Sequence, residues 1–395
     1  MKLNIYIQRA KEYTKKVWQR ISVYLGKTTS LKVNGKNYTV YPVKLALAVI
    51  AVIVVISIAA AVFSGGGAAE AVDIPFEAGS PYSVYPAGGD VLVYNNRGAK
   101  AVNEKGSVKW ELETALSEPL VDTADEYVLL CDLAGNHYAA SYKGGKQMFE
   151  YKLGNDIISA KITDKGYAAF ATDTDGYKGK VTVFNKRGRE LYVWNSGGGY
   201  ITDIDLTDNG RYIAAAQLTG DGEEASTRLQ FIDTRRGEVV ATAERSGEIA
   251  VNIKFVSDNK LVVVTDSNIV GYSRRGKEIF CISLMGKSPS SYCIDSDKLI
   301  AVTTLDNRGN SVLEMYNYSG KFCGSYTSSG GIRHMTVSGK RAVVAEQRGL
   351  VSVSARGKVK SVAPVEHDIT AIGGFASSDA ALAVGSMKAE VISIK

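Results

Sequence analysis

FNKRGRELYVW, residues 184–194, decides the fold. An apolar residue leads into Asn-Lys-Arg-Gly, and a second apolar run follows. Near-copies stand at VNEKGSVKW (102–110), FIDTRRGEVV (231–240), GYSRRGKEIF (271–280) and MYNYSGKFCG (315–324). Each reads as two strands joined by a tight turn, with Gly where the backbone turns left-handed. The turn glycines are Gly106, Gly144, Gly188, Gly237, Gly276, Gly320 and Gly357, at intervals of 38, 44, 49, 39, 44 and 37 residues. A period near 40 residues built only of strands is that of propeller blades with four strands each.

The order inside each unit agrees. In 200–246, YITDIDLT is followed by a DNG turn, RYIAAAQL, the excursion TGDGEEAS, TRLQFID, TRRG and EVVATAE. The second strand is the most apolar in each copy: VLVY (91–94), YVLLC (127–131), YAAFA (167–171), YIAAA (212–216), LVVVT (261–265), LIAVT (299–303), AVVA (342–345) and ALAV (381–384). Small and β-branched residues in an unbroken run suit a strand covered on both faces. A two-sheet sandwich would not repeat one four-strand order. The fold expected is all-β, an eight-bladed β-propeller over 71–395, with seven blades as the alternative if 78–110 forms no full sheet. The last unit supplies only three strands (DITAIGG, AALAVG, AEVISIK), and a ring with an open edge exposes unpaired backbone. The strand AVDIPFE (71–77) is expected to complete it. The composition fits: Gly is high at 40, Tyr is high at 22 and Pro is low at 7.

One segment is not propeller. LALAVIAVIVVISIAAAVF (45–63) carries no charge. As a helix of ~1.5 Å rise per residue it reaches roughly 28 Å, near the thickness of a bilayer's hydrocarbon core. It is longer than the apolar part of a signal peptide and starts too late for one. A single transmembrane helix is expected. Residues 1–44 hold ten Lys/Arg and one acid, Glu12, leaving 37 Lys/Arg and 40 Asp/Glu after them. Basic residues beside a span stay in the cytoplasm. The N-terminus is therefore expected inside, the propeller outside, and 64–71 (SGGGAAEA) as a flexible spacer. In 5–25, apolar residues at Ala10, Tyr13, Val17, Ile21, Tyr24 and Leu25 alternate with basic ones at helical spacing. That reads as an amphipathic helix on the inner leaflet, or as one that binds a partner or nucleic acid. Asn34-Gly35 between alternating runs predicts a hairpin.

NEKGSVKW (103–110) resembles the repeat of PQQ-type (quinoprotein-like) β-propellers, and NKRGRELYVW (185–194) resembles it with two extra residues before Trp194. In that family the Trp packs between blades; elsewhere this chain has Val240, Phe280 or nothing comparable. The whole layout is similar to that of bacterial single-span membrane propeller proteins, which implies an envelope location and no particular reaction. The quinoprotein dehydrogenases of the same fold need an indole floor, a ring from adjacent cysteines, Ca²⁺ and a catalytic Asp. This chain has no adjacent Cys pair, and both later Trp residues fall on outer strands.

Other chemistry is sparse. His137, His334 and His367 show no metal-ligand spacing. Asp173 and Asp175 before Gly176 resemble the opening of a Ca²⁺ loop, but the rest of that pattern is missing. DTDG (173–176) and TGDGEE (219–224) both follow second strands and belong on one rim. Asp173, Asp175, Asp221, Glu223 and Glu224 are therefore the candidate docking residues. Cys131, Cys281, Cys293 and Cys323 sit in strands with apolar flanks and are expected to be buried free thiols. GGGY (197–200) precedes a strand, so it cannot cradle a phosphate at a helix N-terminus. No catalytic residue, cofactor or metal site is read. The net charge of −3 after residue 44 disfavours nucleic acid. The function expected is a membrane-anchored, extracytoplasmic scaffold that binds an envelope protein or glycan. The alternative is a polysaccharide hydrolase or lyase working in the axial funnel. An ordered cluster of carboxylates with Lys or Arg there would mark it.

Overall fold

The computed structural model describes residues 29–33, 36–40, 71–74, 81–133, 138–220, 224–287, 289–294, 299–338, 341–347, 349–375 and 379–394. The chain forms two compact units, Met1–Gly67 and Ala68–Lys395. In the first, Thr29–Val33 pairs antiparallel with Lys36–Val40, with Val33 opposite Lys36, as the expected Asn34-Gly35 hairpin requires. The expected helix in 5–25 and the expected span at 45–63 lie outside the described residues. Among the described residues no helix is long and apolar enough to cross a membrane.

The second unit contains eight four-stranded antiparallel sheets. Blades 1 to 7 are 83–113, 119–152, 157–195, 200–246, 250–283, 291–328 and 334–364. Blade 8 joins 371–393 to Ala71–Asp73, so the strand before the first blade closes the last one. The pairing is Val72 opposite Val391, extended by Ile74 N donating to the carbonyl of Ala389 at 3.0 Å. Lys388 Nζ adds an ion pair to Asp73 at 3.0 Å. The seven-blade alternative fails because 83–113 forms a complete sheet.

The eight apolar runs are the second strands of the eight blades. Tyr127–Asp132 and Ala168–Thr172 are buried along their whole length. Phe170, Leu129, Ile213 and Leu261 are among the largest fully buried side chains. Burying each such side chain contributes about 1.5–3 kcal/mol. First strands lie innermost and fourth strands form the perimeter, where alternate residues face water, as in Glu190–Asn195.

The recurring turn now has two explanations. Asn185 Oδ1 accepts from the backbone N–H of Arg187 and Arg189, and Asn317 Oδ1 from that of Ser319 and Lys321. That side chain closes the turn, and Gly188 and Gly320 take its left-handed position with φ of 77° and 73°. The second reason lies in the next blade. A Cβ on Gly320 would sit 2.5 Å from the Phe280 ring, and one on Gly188 would sit 2.6 Å from Phe149. In four blades the turn packs on the side chain four residues after the preceding blade's turn glycine, whereas Gly357 and Gly276 meet the backbone of Ser325 and Thr242 and Gly106 meets Val72. Trp110 meets Gly145, Phe149 meets Gly188, Tyr192 faces Gly237, and Phe280 meets Gly320.

This pattern corrects the repeat alignment in three places. The blade 2 position is Gly145 (φ 82°), because nothing lies near Gly144. The equivalent of Trp110 in blade 3 is Tyr192, not Trp194, since Tyr192 pairs with Val183 as Trp110 pairs with Ala101. In blade 4 it is Ala241, not Val240. Partner sizes compensate. Phe280 lies opposite Gly271 and Trp110 opposite Ala101, whereas Ala241 lies opposite Phe231 and Gly324 opposite Met315.

None of the four cysteines is in a disulfide, but only Cys131 is buried; Cys281 is exposed, and Cys293 and Cys323 are half-buried. Cys281 and Cys323 stand on fourth strands, Glu278–Ser283 and Phe322–Ser328. At the perimeter, apolar neighbours in sequence do not mean burial, because only one face of the strand is covered.

Candidate functional site

Strand direction divides the ring into two rims. Successive strands are antiparallel, so each blade's first-to-second and third-to-fourth turns share one side, the turn rim. The second-to-third turns and the links between blades share the other, the link rim.

The candidate acidic loops lie on the link rim, on neighbouring blades 3 and 4. Asp173 is partly committed, since its Oδ1 accepts from Asp156 N at 3.1 Å and its own N–H donates to the Asp156 carbonyl. Asp175 is exposed. Glu224 reaches over Gly247, where a Cβ would come within 2.5 Å of its Oε1. Asp221, Glu223 and His137 lie outside the described residues.

The sequence reading missed the apolar side chains beside these acids. Tyr200, 62% exposed, opens the first strand of blade 4, and Val251, 55% exposed, follows the opening residue of blade 5. Tyr177, Ile158, Met285 and Leu305 are exposed on the same rim over blades 3 to 6. Lys178 Nζ stands 5.2 Å from the Tyr200 ring centre. The available signal was position, because each of these residues lies in a link, in a second-to-third turn or at the link-rim end of a first or second strand, outside the buried second-strand core.

The axis holds a second group. Asp203, from the first strand of blade 4, accepts from Ser159 Oγ at 2.7 Å, Ile253 N at 2.9 Å and Asn252 Nδ2 at 3.2 Å. Lys161 Nζ lies 3.7 Å from it. Asp205 accepts from Phe255 N, and Asp122 from Ile162 N at 2.7 Å. Lys254 Nζ donates to the carbonyl of Ile294 at 3.0 Å. Burial pushes the Asp205 carboxyl up to about 7, against the opposing pull of Lys161 and the Phe255 N–H. Burial also raises Asp122, again opposed by Lys161. For Lys161 burial acts downward, but Asp203, Asp122 and Asp205 outweigh it and hold the ammonium above its ordinary value. The group is thus an alternation of charges whose carboxylates each hold a backbone N–H of the adjoining blade. A first strand has no inner neighbour, so its edge N–H groups need such partners.

Two further features are local. On blade 1 an open cleft of about 600 Å³ is lined by Tyr82, Asn95, Arg97, Lys100 and Glu111. At the closure, Lys388 bridges Asp73 and the buried Glu390, and His367 Nε2 lies 3.3 Å from Glu390. Among the described residues no group of three or more His, Cys, Asp or Glu could hold a metal ion.

Residues 70–394 match a family of unknown function, DUF5711. No curated protein matches the sequence. Among solved structures, the C-terminal WD40 domain of Sif2 aligns with a TM-score of 0.60 at 12% identity, over 84% of this chain and 100% of that one. BamB from Moraxella catarrhalis aligns with a TM-score of 0.50 at 13% identity, over 82% of this chain and 98% of that one. At such identities the likeness is one of fold.

Proposed function

The chain belongs to the DUF5711 family, and on that premise we propose a single-pass membrane protein whose propeller is a docking scaffold outside the cell membrane. The propeller fold is consistent with a binding role. The apolar run at 45–63 supports the span, and the basic excess in 1–44 supports an N-terminus in the cytoplasm. The PQQ-type assignment of the repeat belongs to the same proposal.

One observation carries the docking role. Over blades 3 to 6 the link rim pairs exposed Tyr200, Val251, Tyr177 and Met285 with acidic loops, on a ring whose blades are fastened at axis and perimeter. Exposed apolar groups gathered on one side of a rigid body mark an interaction surface. The acidic surroundings fit an envelope protein that presents apolar side chains among basic ones. The test is cross-linking in intact cells of the native host, comparing the parent with Tyr200→Ser/Val251→Ser. A defined envelope protein captured by the parent and lost in the variant is expected. Capture unchanged by the substitutions overturns the rim assignment.

The axial group favours a second reading, because carboxylates and lysines stand together there and Asp205 titrates near neutrality. A polysaccharide hydrolase or lyase would use them. Incubating the parent and Asp205→Asn with host envelope polysaccharide decides this. Product formed by the parent and abolished in Asp205→Asn supports it, and no product from a folded parent removes it.

A further inference from the structure

The turn rim carries a charge pattern that the turns themselves do not require. Its third-to-fourth-strand turns are 103–107, 142–146, 185–189, 234–238, 273–277, 317–321 and 354–358. Together they hold fourteen Lys/Arg and two Glu, in a propeller that is net acidic. Gly and the Asx or Ser side chain explain the backbone of these turns. The basic residues are not needed for it, because Tyr318-Ser319-Gly320 makes the same turn in blade 6. Lys186, Arg187, Arg275, Lys321, Arg356 and Lys358 are exposed, and none of them makes an ion pair among the described residues.

A second observation gives this circle a direction. The closing strand Ala71–Asp73 is a fourth strand, and fourth strands run from the turn rim to the link rim. The chain therefore meets the propeller at Ala71 on the basic side. Seven residues, 64–70, separate Ala71 from the apolar run. At ~3.3–3.6 Å per residue they reach at most about 25 Å.

We propose that the basic circle of the turn rim rests on anionic phospholipid headgroups of the membrane surface outside the cell. This inference rests on the membrane reading of 45–63. A short tether that arrives on the basic side keeps those charges near the lipid, where each Lys or Arg adds to the attraction. The acidic and apolar link rim then points away from the bilayer, toward its partner.

The test uses the full chain reconstituted in vesicles of phosphatidylcholine, with and without phosphatidylglycerol. A membrane-impermeant amine reagent reports on Lys186, Lys277 and Lys358, with Lys178 on the link rim as reference. Labelling of the three is expected to slow several-fold when phosphatidylglycerol is present and to recover in high salt. Lys178 is expected to label alike in both lipids. In Arg187→Glu/Arg275→Glu/Arg356→Glu the slowing is expected to disappear. Equal labelling in both lipids, from chain that an alkaline wash leaves in the vesicles, overturns the proposal and leaves the span standing. Chain that washes out refutes the span. Flotation of that chain with phosphatidylglycerol vesicles, lost in the triple variant, then still supports the lipid-binding face, and absence of flotation overturns it. Slowing by a soluble anionic glycan on phosphatidylcholine vesicles also overturns it, because the ligand is then not lipid.

Discussion

Neighbouring blades are joined differently at the axis and at the perimeter. At the axis, Asp203, Asp205 and Asp122 reach across to backbone N–H groups of the next first strand. At the perimeter, a side chain of one blade fills the hollow over a turn glycine of the next, as Phe280 does at Gly320. The difference follows from which groups lack partners. The innermost strands converge and present an unpaired backbone edge, so polar side chains serve there. The outermost strands have no free edge toward the next blade, and the seam is closed by large side chains at Gly145, Gly188 and Gly320 and by close backbone approach at Gly276 and Gly357. A dry seam built on shape tolerates no added atom. A polar staple tolerates changes of shape but not the loss of an acceptor.

The seam yields the largest expected effect. A Cβ on Gly357 would sit 2.0 Å from the Ser325 carbonyl oxygen, at a φ of 78°. Gly357→Val therefore combines backbone strain with a clash against backbone that cannot rotate away, and loss of the folded propeller is expected by circular dichroism. Gly188→Val and Gly237→Val refine the comparison. Both glycines are left-handed, which alone costs roughly 1–2 kcal/mol. Only Gly188 is also pressed by Phe149, whereas the nearest atom to a Cβ on Gly237 is 3.7 Å away. Gly188→Val is expected to have the lower thermal midpoint, and equal midpoints would mean that the seam contact carries no weight.

The axis comes next. Asp203→Ala takes from Lys161 its nearest carboxylate and leaves the Ile253 N–H without its acceptor, at a cost of about 3 kcal/mol. Denaturant unfolding at neutral pH measures it, and a loss under about 1 kcal/mol would show water serving as well as the carboxylate.

The last effect is pH-dependent. The folded Asp205 carboxyl lies near 7, above the ordinary 3.8, so its contribution is full below about pH 4 and is lost as pH rises toward 7. The thermal midpoint of the parent is expected to fall over that window by a few degrees more than that of Asp205→Asn. Parallel pH curves would place Asp205 in contact with water.

Much of the ring was legible. Gly turns at a period near 40, the apolar second strands and the spare AVDIPFE all report local demands of backbone and burial, which a repeat writes again in every blade. What failed did so where one blade meets another. Trp194 looked like the counterpart of Trp110 because both are indoles, but strand register makes Tyr192 the counterpart. Cys281 looked buried because its neighbours are apolar, but the strand lies at the perimeter. The axial group joins residues up to 50 positions apart, as in Asp203 with Ile253, and no spacing rule points to it.

Adjacent residues were enough to set the repeat, the strand order within a blade and the closing strand, whereas the choice of eight blades over seven waited on the complete sheet at 83–113. Turn chemistry and the alternation of apolar runs are properties of a few adjacent residues, and copying reinforces them. Which charges meet at the axis and which groups fill each seam became visible only in the assembled ring. Those depend on how blades converge inward and spread outward, and on the direction in which each strand crosses the ring.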